Sequence, residues 1–590
     1  MSQDTYTVTS ISPNLIQLEV KDIDAFATDD ENRFSIGSYL KITDCNGVSV
    51  VTIVKSYRIK DPIPNSETEA AGEYRSFVID TQPLGFIKDG KFKRGGQQIA
   101  IPPTDVEIAG TDILGSIYTG AEEQCNFEMG SLAINEEIRV PVDGDKFFGK
   151  HIAVLGSTGA GKSCAVAKIL QEAIKKNEEQ ETTAKINNSH IIIFDIHGEY
   201  APAFLDAQRL DVTSLALPYW LMNGEELEEM FIESNEQNSH NQISQFRHAV
   251  IENKKRHNPG IDGLTYDTPV YFSLEEVHNY ISNMNKEMIG KAPDDGGVPK
   301  LLDGTLVKPR EGHYFEQVHE FVPQSAAKDT KASSGPFAGD FDRFVRRLET
   351  KRNDERLAFL LDPKKEDGAD YVTSDLELII RNFVGYRTGS ETNVTIVDLA
   401  GMPFEETSIV VSLISRLLFD FSFYFRAVNE TEEDAPLLVV YEEAHKYVPN
   451  AKLAKYTSAR TAIERIAKEG RKYGISLMIV SQRPSEISDT IFSQCNNFVV
   501  MRLTNPSDQN YVTRLLPDTI SNVTDNLPAL EAREAIIIGD AVNVPALIMI
   551  DNIEQKPSSE DVLVLREWRK DWHDVAFPNL IQRIQKINQD

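Results

Sequence analysis

The sequence predicts an α/β fold: a largely parallel nucleotide-binding sheet, preceded by a small β-barrel and interrupted by a mostly helical insertion. Three observations predict it. "HIAVLG" is an apolar strand that runs into a Gly-rich turn, then the helix "SCAVAKILQEAIKK", then a second apolar strand, "HIIIFD". Such strand–helix–strand alternation is the signature of a parallel sheet. Before it, residues up to 148 read as short alternating runs such as "YTVTSI", "LIQLEV" and "VSVVTIVKSY", separated by turn residues in "DCNG" and "KDGKFKRGG". Frequent short strands of this kind suggest a β-barrel or sandwich. Between about 205 and 375 the rhythm breaks into helical pieces and a Pro/Gly-rich polar stretch, "KAPDDGGVPKLLDGTLVKPREGHY".

The resulting division is 1–148 for the barrel, 149–204 with 376–555 for the core, 205–375 for the insertion and 556–590 for a helical tail. The core resumes with "NVTIVDLAG", the helix "TSIVVSLISRLLFDFSFYFRAV", the strand "LLVVYEEAH", a helix near 457–473, and the strands "ISLMIV" and "NNFVVMRL". The last strands are "EAIIIGD" and "NVPALIMI". No internal repeat of fixed period is present.

Composition limits the function classes. The formal net charge is −30, which argues against a broadly basic nucleic-acid-binding surface. A basic lining confined to a small region, such as a pore built from several subunits, remains compatible with it. No run approaches the roughly 18 uninterrupted apolar residues that a membrane span needs. The start, "MSQDTYTVTS", lacks the basic and apolar stretches of a signal peptide. The four cysteines have no metal-ligand spacing. A cytoplasmic protein with free thiols and no membrane contact is expected.

"GSTGAGKS" satisfies the phosphate-loop pattern G-x-x-x-x-G-K-[ST] between an apolar strand and a helix. Gly156, Ser157, Thr158, Gly159, Ala160, Gly161, Lys162, Ser163 and the following Cys164 are therefore the candidate nucleotide-binding residues. Backbone N–H groups and the helix N-terminus cradle the phosphates. Lys162 is expected at the β- and γ-phosphates of ATP, and Ser163 on Mg²⁺.

Hydrolysis needs one carboxylate in the Mg²⁺ shell and another to polarise the attacking water. Three apolar strands end in acids: Asp195, Asp398, and the adjacent pair Glu442 and Glu443. Asp398 meets the minimal pattern, but only the third strand offers two acids. Neighbouring side chains of a strand point to opposite sides. Glu442 is therefore assigned to the Mg²⁺ shell and Glu443 to the water. Gln482 ends the next strand, in "SQRP", either as a γ-phosphate sensor or as an ordinary turn residue. Asp195, His197 and Glu199 of "DIHGEY" form a polar cluster, but one His and no Cys argue against a metal site from these residues alone.

The order of motifs adds a resemblance. A β-rich N-terminal region, "HIAVLGSTGAGKS", "DIHGEY", "VDLAG", "VVYEEAHKYVP", "ERIAKEGRKYG", "SQRPSEI" and "EAIIIGDAVNVPA" together resemble the HerA family of the HerA–FtsK DNA-pumping ATPases. The resemblance implies a RecA-like core in a homo-hexameric ring that moves double-stranded DNA through its central channel by hydrolysing ATP. It implies a partner, such as a nuclease or a sirtuin-like, NAD-hydrolysing effector, docked near an N-terminal barrel of the HAS type. It assigns phosphate and Mg²⁺ to Lys162 and Ser163, water activation to Glu443 and γ-phosphate sensing to Gln482. It also implies a nucleotide-contacting arginine in "ERIAKEGRKYG", where Arg465 and Arg471 are the alternatives, Arg465 slightly favoured.

Two positions depart from the family pattern. Glu442 stands where Asp is usual; the extra methylene is absorbed by a water-mediated Mg²⁺ contact. Lys150 stands where the family tends to carry an arginine reaching a neighbouring subunit's nucleotide, and lysine lacks the bidentate fork. For DNA contact, "HKYVPNAKLAKYTSAR" follows the paired acids without any acid of its own, and Lys452 and Lys455 are its candidates. Two other functions fit parts of the pattern. One is a nucleotide-gated scaffold that activates a partner without processive translocation. The other is an ATPase acting on proteins, which the "EEAH" and "SQRPSEI" context disfavours.

Overall fold

The computed structural model describes residues 6–20, 36–44, 47–60, 76–88, 91–95, 103–118, 126–175, 186–233, 236, 238–387, 389–402, 404–429, 434–450, 457–515, 526–558 and 562–584. The first seven strands are β1 (Tyr6–Ser12), β2 (Leu15–Val20), β3 (Tyr39–Asp44), β4 (Ser49–Lys60), β5 (Ser76–Lys88), β6 (Lys91–Arg94) and β7 (Pro103–Ile108). They form one antiparallel sheet in the order β1-β2-β5-β4-β3-β7, with β6 paired to β5. Alternation builds it: Ile16, Leu18 and Val20 point inward from β2 to meet Leu40, Ile42 and Ile79. The edge strands β1 and β7 are not paired with each other among the described residues, so closure into a barrel is not seen.

The remaining strands are β8 (Asn126–Leu132), β9 (Asn135–Asp143), β10 (His151–Leu155), β11 (His190–Asp195), β12 (Gln208–Leu210), β13 (Met288–Gly290), β14 (Ala332–Ser334), β15 (Val394–Asp398), β16 (Leu437–Tyr441), β17 (Ile475–Ser481), β18 (Cys495–Met501), β19 (Glu534–Gly539) and β20 (Ala546–Ile550). All but β13 and β14 make one sheet in the order β12-β15-β11-β16-β17-β10-β18-β19-β20-β8-β9. Pairing is parallel from β12 to β18 and antiparallel from β18 to β9.

Every residue of β10, β11, β15, β16 and β17 is buried, because both faces of the sheet are covered. The strand period of two sorts them into two cores. Ala153, Leu155, Ile192, Phe194, Val439 and Tyr441 face one side, with the long helix Phe404–Val428 and the helix Ser458–Glu469. Ile152, Val154, Ile191, Ile193, Leu438 and Val440 face the other, with the helix Lys162–Ala173 and the β8–β9 hairpin. The segment Glu406–Val428 is long and apolar enough to cross a membrane, but two-thirds of its apolar window (67%) is buried in the first of these cores.

Three expectations are corrected. The β8–β9 hairpin belongs to the central sheet through β20, so the core begins before residue 149; Met129, Leu132, Val140 and Val142 are buried against it. Residues 208–210 form β12, the parallel edge strand on β15, so the insertion begins after residue 205. The insertion is also less helical than expected. Its four longer helices among the described residues are Gly224–Phe231, Ser239–His257, Leu274–Lys286 and Asp342–Arg352, and a long irregular stretch lies between the last two. That stretch is held by a buried polar group: Arg310 Nε and Tyr314 Oη donate to Glu287, which is fully buried. Proline, glycine and charged residues deny it a regular ladder. The insertion shares the first core through Trp220, Phe231, Phe246 and Phe272 rather than forming a core of its own.

Candidate active site

The parallel strands β10, β11, β15, β16 and β17 end on one edge of the sheet, where ligands of open α/β sheets bind. The phosphate loop leaves β10. Gly161 has φ +98°, a left-handed conformation that glycine adopts without strain. A Cβ at Gly156 would lie 2.9 Å from Met501 Cβ, so that turn also requires glycine. The Ala160 carbonyl accepts the Arg533 N–H at 3.2 Å, fastening the loop to the start of β19. Lys162 is buried at the head of its helix, and Cys164, two residues further on, is half-buried.

The strand β17 separates β10 from β16. This places Gln482, just beyond β17, beside the loop, where its Oε1 accepts a hydrogen bond from Thr158 Oγ1 at 2.6 Å. On the far side of β17, β16 stops at Tyr441, and both glutamates lie past its end. Their divergence comes from a backbone turn rather than from strand alternation: Glu443 has φ 48° and ψ 47°. A non-glycine residue in this region carries strain of about 1–3 kcal/mol, and such residues cluster at functional sites.

The two acids are driven apart electrostatically. Burial, and then the Glu443 charge, raise the Glu442 carboxyl to about 8, although a hydrogen bond from Tyr200 Oη to Oε2 at 2.7 Å opposes the shift. Burial also works against ionisation of Glu443, but His445 and the Lys162 charge outweigh it and hold Glu443 below the usual carboxyl range. His445 Nδ1 stands 3.2 Å from Glu443 Oε2 without hydrogen-bond geometry. That oxygen, on a residue 5% exposed, consequently has no donor. A buried acceptor without a donor, held anionic near Lys162, fits a water molecule or another donor brought in with a nucleotide.

Asp398 is otherwise engaged. Arg209 Nε donates to its Oδ2 at 3.0 Å, and the Ala400 N–H donates to Oδ1 at 2.9 Å. Asp195 is fully buried; its carboxylate accepts the N–H groups of His197 and Tyr200 and shapes the turn after β11. Burial raises its pKa, and the Asp398 charge adds to the shift. His197 is exposed, whereas Glu199 accepts from Ser163 Oγ at 3.0 Å. "DIHGEY" therefore does not converge on a point of its own. Among the described residues no group of three or more His, Cys, Asp or Glu could hold a metal ion. A metal here would lean on Ser163, one nearby carboxylate, waters and phosphate oxygens, the manner in which Mg²⁺ is ordinarily bound.

Other predicted residues lie elsewhere. Arg465 sits on the helix Ser458–Glu469, across the sheet from the phosphate-loop helix, with its guanidinium 4.1 Å from the Phe419 ring and 3.7 Å from Asp420. It borders a cleft of about 1280 Å³ between insertion and core. Arg471 is exposed in the turn Gly470–Tyr473 that follows this helix. Lys150 Nζ pairs with Asp540 of its own chain at 2.6 Å. Lys452 and Lys455 lie outside the described residues. Sequence reasoning did not find the pairing of Ser163 with Glu199 or of Glu442 with Tyr200; the polar turn "DIHGEY" was the available signal.

The family model for the central domain of helicase HerA matches residues 127–418. The chain is 22% identical over 578 residues to the probable DNA double-strand break repair helicase HerA of Methanocaldococcus jannaschii, covering 93% of this chain and 97% of that one. It is 24% identical over 538 residues to the DNA double-strand break repair helicase HerA of Pyrococcus furiosus, covering 85% and 84%. Among solved structures it is similar to VirB4 of Thermoanaerobacter pseudethanolicus, with TM-score 0.43 and 14% identity over 74% of this chain and 99% of that one. The family model, the relatives aligned along most of the chain and the phosphate loop agree: the chain belongs to the HerA family and is an ATPase.

Proposed function

We propose that this protein is an ATP-driven, DNA-translocating motor. The observation that carries the reading is the convergence of Lys162, Ser163, Gln482 and Glu443 from three neighbouring strand ends onto one edge of the sheet. In this reading Lys162 and the loop amides bind the ATP phosphates, and Ser163 contributes its hydroxyl to Mg²⁺, which would neutralise phosphate charge. Glu443 accepts a proton from the attacking water, and Gln482 registers the γ-phosphate through Thr158. DNA as the track follows from the relatives, which are named as DNA repair helicases.

A homo-hexameric ring is part of the proposal. Arg465 and Arg471 lie away from the phosphate loop of their own chain, as expected of residues that reach a neighbour's nucleotide. The tail supports assembly too: Trp568 is 80% exposed and Trp572 100%, with Val562, Leu563 and Phe577 also exposed. So much exposed apolar surface marks an interaction site. Lys452 and Lys455 are the proposed DNA contacts in the channel. A nuclease or NAD-hydrolysing effector is the proposed partner at the N-terminal sheet.

Glu443→Gln tests the reading. It should lower ATP turnover by on the order of 10²–10⁴-fold, the usual worth of a general base, while nucleotide affinity persists. Translocation measured by strand displacement should stop with it. Turnover at the wild-type rate would remove Glu443 from its role. ATP hydrolysis that no DNA stimulates would remove DNA as the track.

A further inference from the structure

Glu199 and Tyr200 are consecutive residues, yet they grip the two halves of the site. Glu199 Oε2 accepts a hydrogen bond from Ser163 Oγ at 3.0 Å, on the phosphate loop. Tyr200 Oη donates to Glu442 Oε2 at 2.7 Å, at the end of β16. The turn that presents them is braced from several sides. Asp195 accepts the Tyr200 N–H at 2.9 Å, and the Glu199 carbonyl accepts the Ser558 N–H at 2.9 Å. Tyr200 is fully buried and Glu442 is 2% exposed.

A serine hydroxyl has one proton and two lone pairs. With the proton directed at Glu199, the lone pairs of Ser163 remain free for a cation. The same bond places the Glu199 carboxylate next to that cation, within reach of its water shell. Glu442 is placed differently. It is buried within electrostatic reach of Lys162 and Glu199, but one of its oxygens is already committed to Tyr200. The unpartnered, buried Oε2 of Glu443 marks the open side of the same site, where a water or a donor has room to enter.

We infer that Glu199, rather than Glu442, is the carboxylate that organises the divalent cation accompanying the nucleotide, and that Glu442 and Tyr200 form a buried strut positioning Glu443. This inference rests on the ATPase reading and replaces the assignment of Glu442 to the metal shell.

The test is a comparison of two isosteric variants, Glu199→Gln and Glu442→Gln, with ADP as nucleotide and Mn²⁺ as cation. ADP affinity is measured by calorimetry in EDTA, and the Mn²⁺ half-saturation of the ADP complex by electron paramagnetic resonance. Loss of a carboxylate that orients a metal site costs about 10–100-fold in metal affinity. Glu199→Gln should weaken Mn²⁺ binding by that factor and leave ADP affinity in EDTA unchanged. Glu442→Gln should hold Mn²⁺ within about threefold of wild type, a smaller change than removal of an orienting carboxylate produces. If Glu199→Gln does not fold, Glu199→Ala reads the same ratio. Mn²⁺ affinity unchanged by the Glu199 variant, or lost equally in the Glu442 variant, overturns the inference. Failure of the wild-type protein to bind ADP or ATP at all would instead overturn the nucleotide site itself.

Discussion

Glu442 and Glu443 illustrate how two identical side chains acquire different work. Burial, reinforced by the Glu443 charge, makes one the acid that keeps its proton, and the neighbourhood of His445 and Lys162 makes the other the acid that gives it up. A pair of carboxyls pushed apart in this way divides the acid and base roles. The shift has a consequence for stability. The folded protein binds the Glu442 proton more tightly than the unfolded chain, whose ordinary value is 4.5, against about 8 when folded. The stabilising contribution is therefore complete below the unfolded value and is lost as pH rises through 8, by up to about 1.4 kcal/mol for each unit of pKa difference. Nucleotide-free Glu442→Gln should melt closer to wild type at pH 5 and above it at pH 8.5. A melting difference that does not change over this range would contradict the buried, protonated Glu442.

At the scale of elements, β17 decides the geometry of the site. By lying between β10 and β16 it sets the phosphate loop apart from the paired acids and inserts Gln482 at the loop. The sequence identifies each strand by its apolar run, but the lateral order of parallel strands leaves no local mark, since each strand looks alike to its neighbours. The insertion shows the same limit. Helical pieces and a Pro/Gly-rich stretch were legible in it, whereas its sharing of the core was not. Phe246 is fully buried in a cluster that also contains Tyr441 and Val439 of β16. Phe246→Ala should cost about 3–5 kcal/mol and lower the single melting transition of core and insertion together. A separate, earlier transition for the insertion would show that it folds independently. The basic segment after β16 carries an element-scale prediction too. Replacing Lys452 and Lys455 by alanine should flatten the salt dependence of DNA binding by about one unit of log–log slope per lysine. An unchanged slope would exclude both as phosphate contacts.

At the scale of the whole molecule, the proposed ring would reconcile an acidic chain with a nucleic-acid track: symmetry would multiply a few channel-facing cations, while the outer surface carries the net charge of −30. The exposed apolar tail belongs to this scale, because among the described residues none covers Trp568 or Trp572. Deleting residues 562–590 should shift the mass measured by light scattering from a multimer towards the monomer. A multimer that survives the deletion intact would place the assembly surface elsewhere.

The chain alone determined the phosphate loop, the strand ends that carry Glu443 and Gln482, and the family. Each is local chemistry: glycines that permit a curled backbone, a lysine and a serine at fixed spacing, apolar runs that must be covered on both faces. Tertiary structure decided which acid meets which partner. Ser163 and Glu199 are 36 residues apart, and Tyr200 and Glu442 are 242 apart. No periodicity connects such pairs; only the order of strands in the sheet brings them together. For the same reason Asp398, equal to its rivals as a strand-end acid, is committed to Arg209, and the acid that holds Ser163 is one that ends no strand.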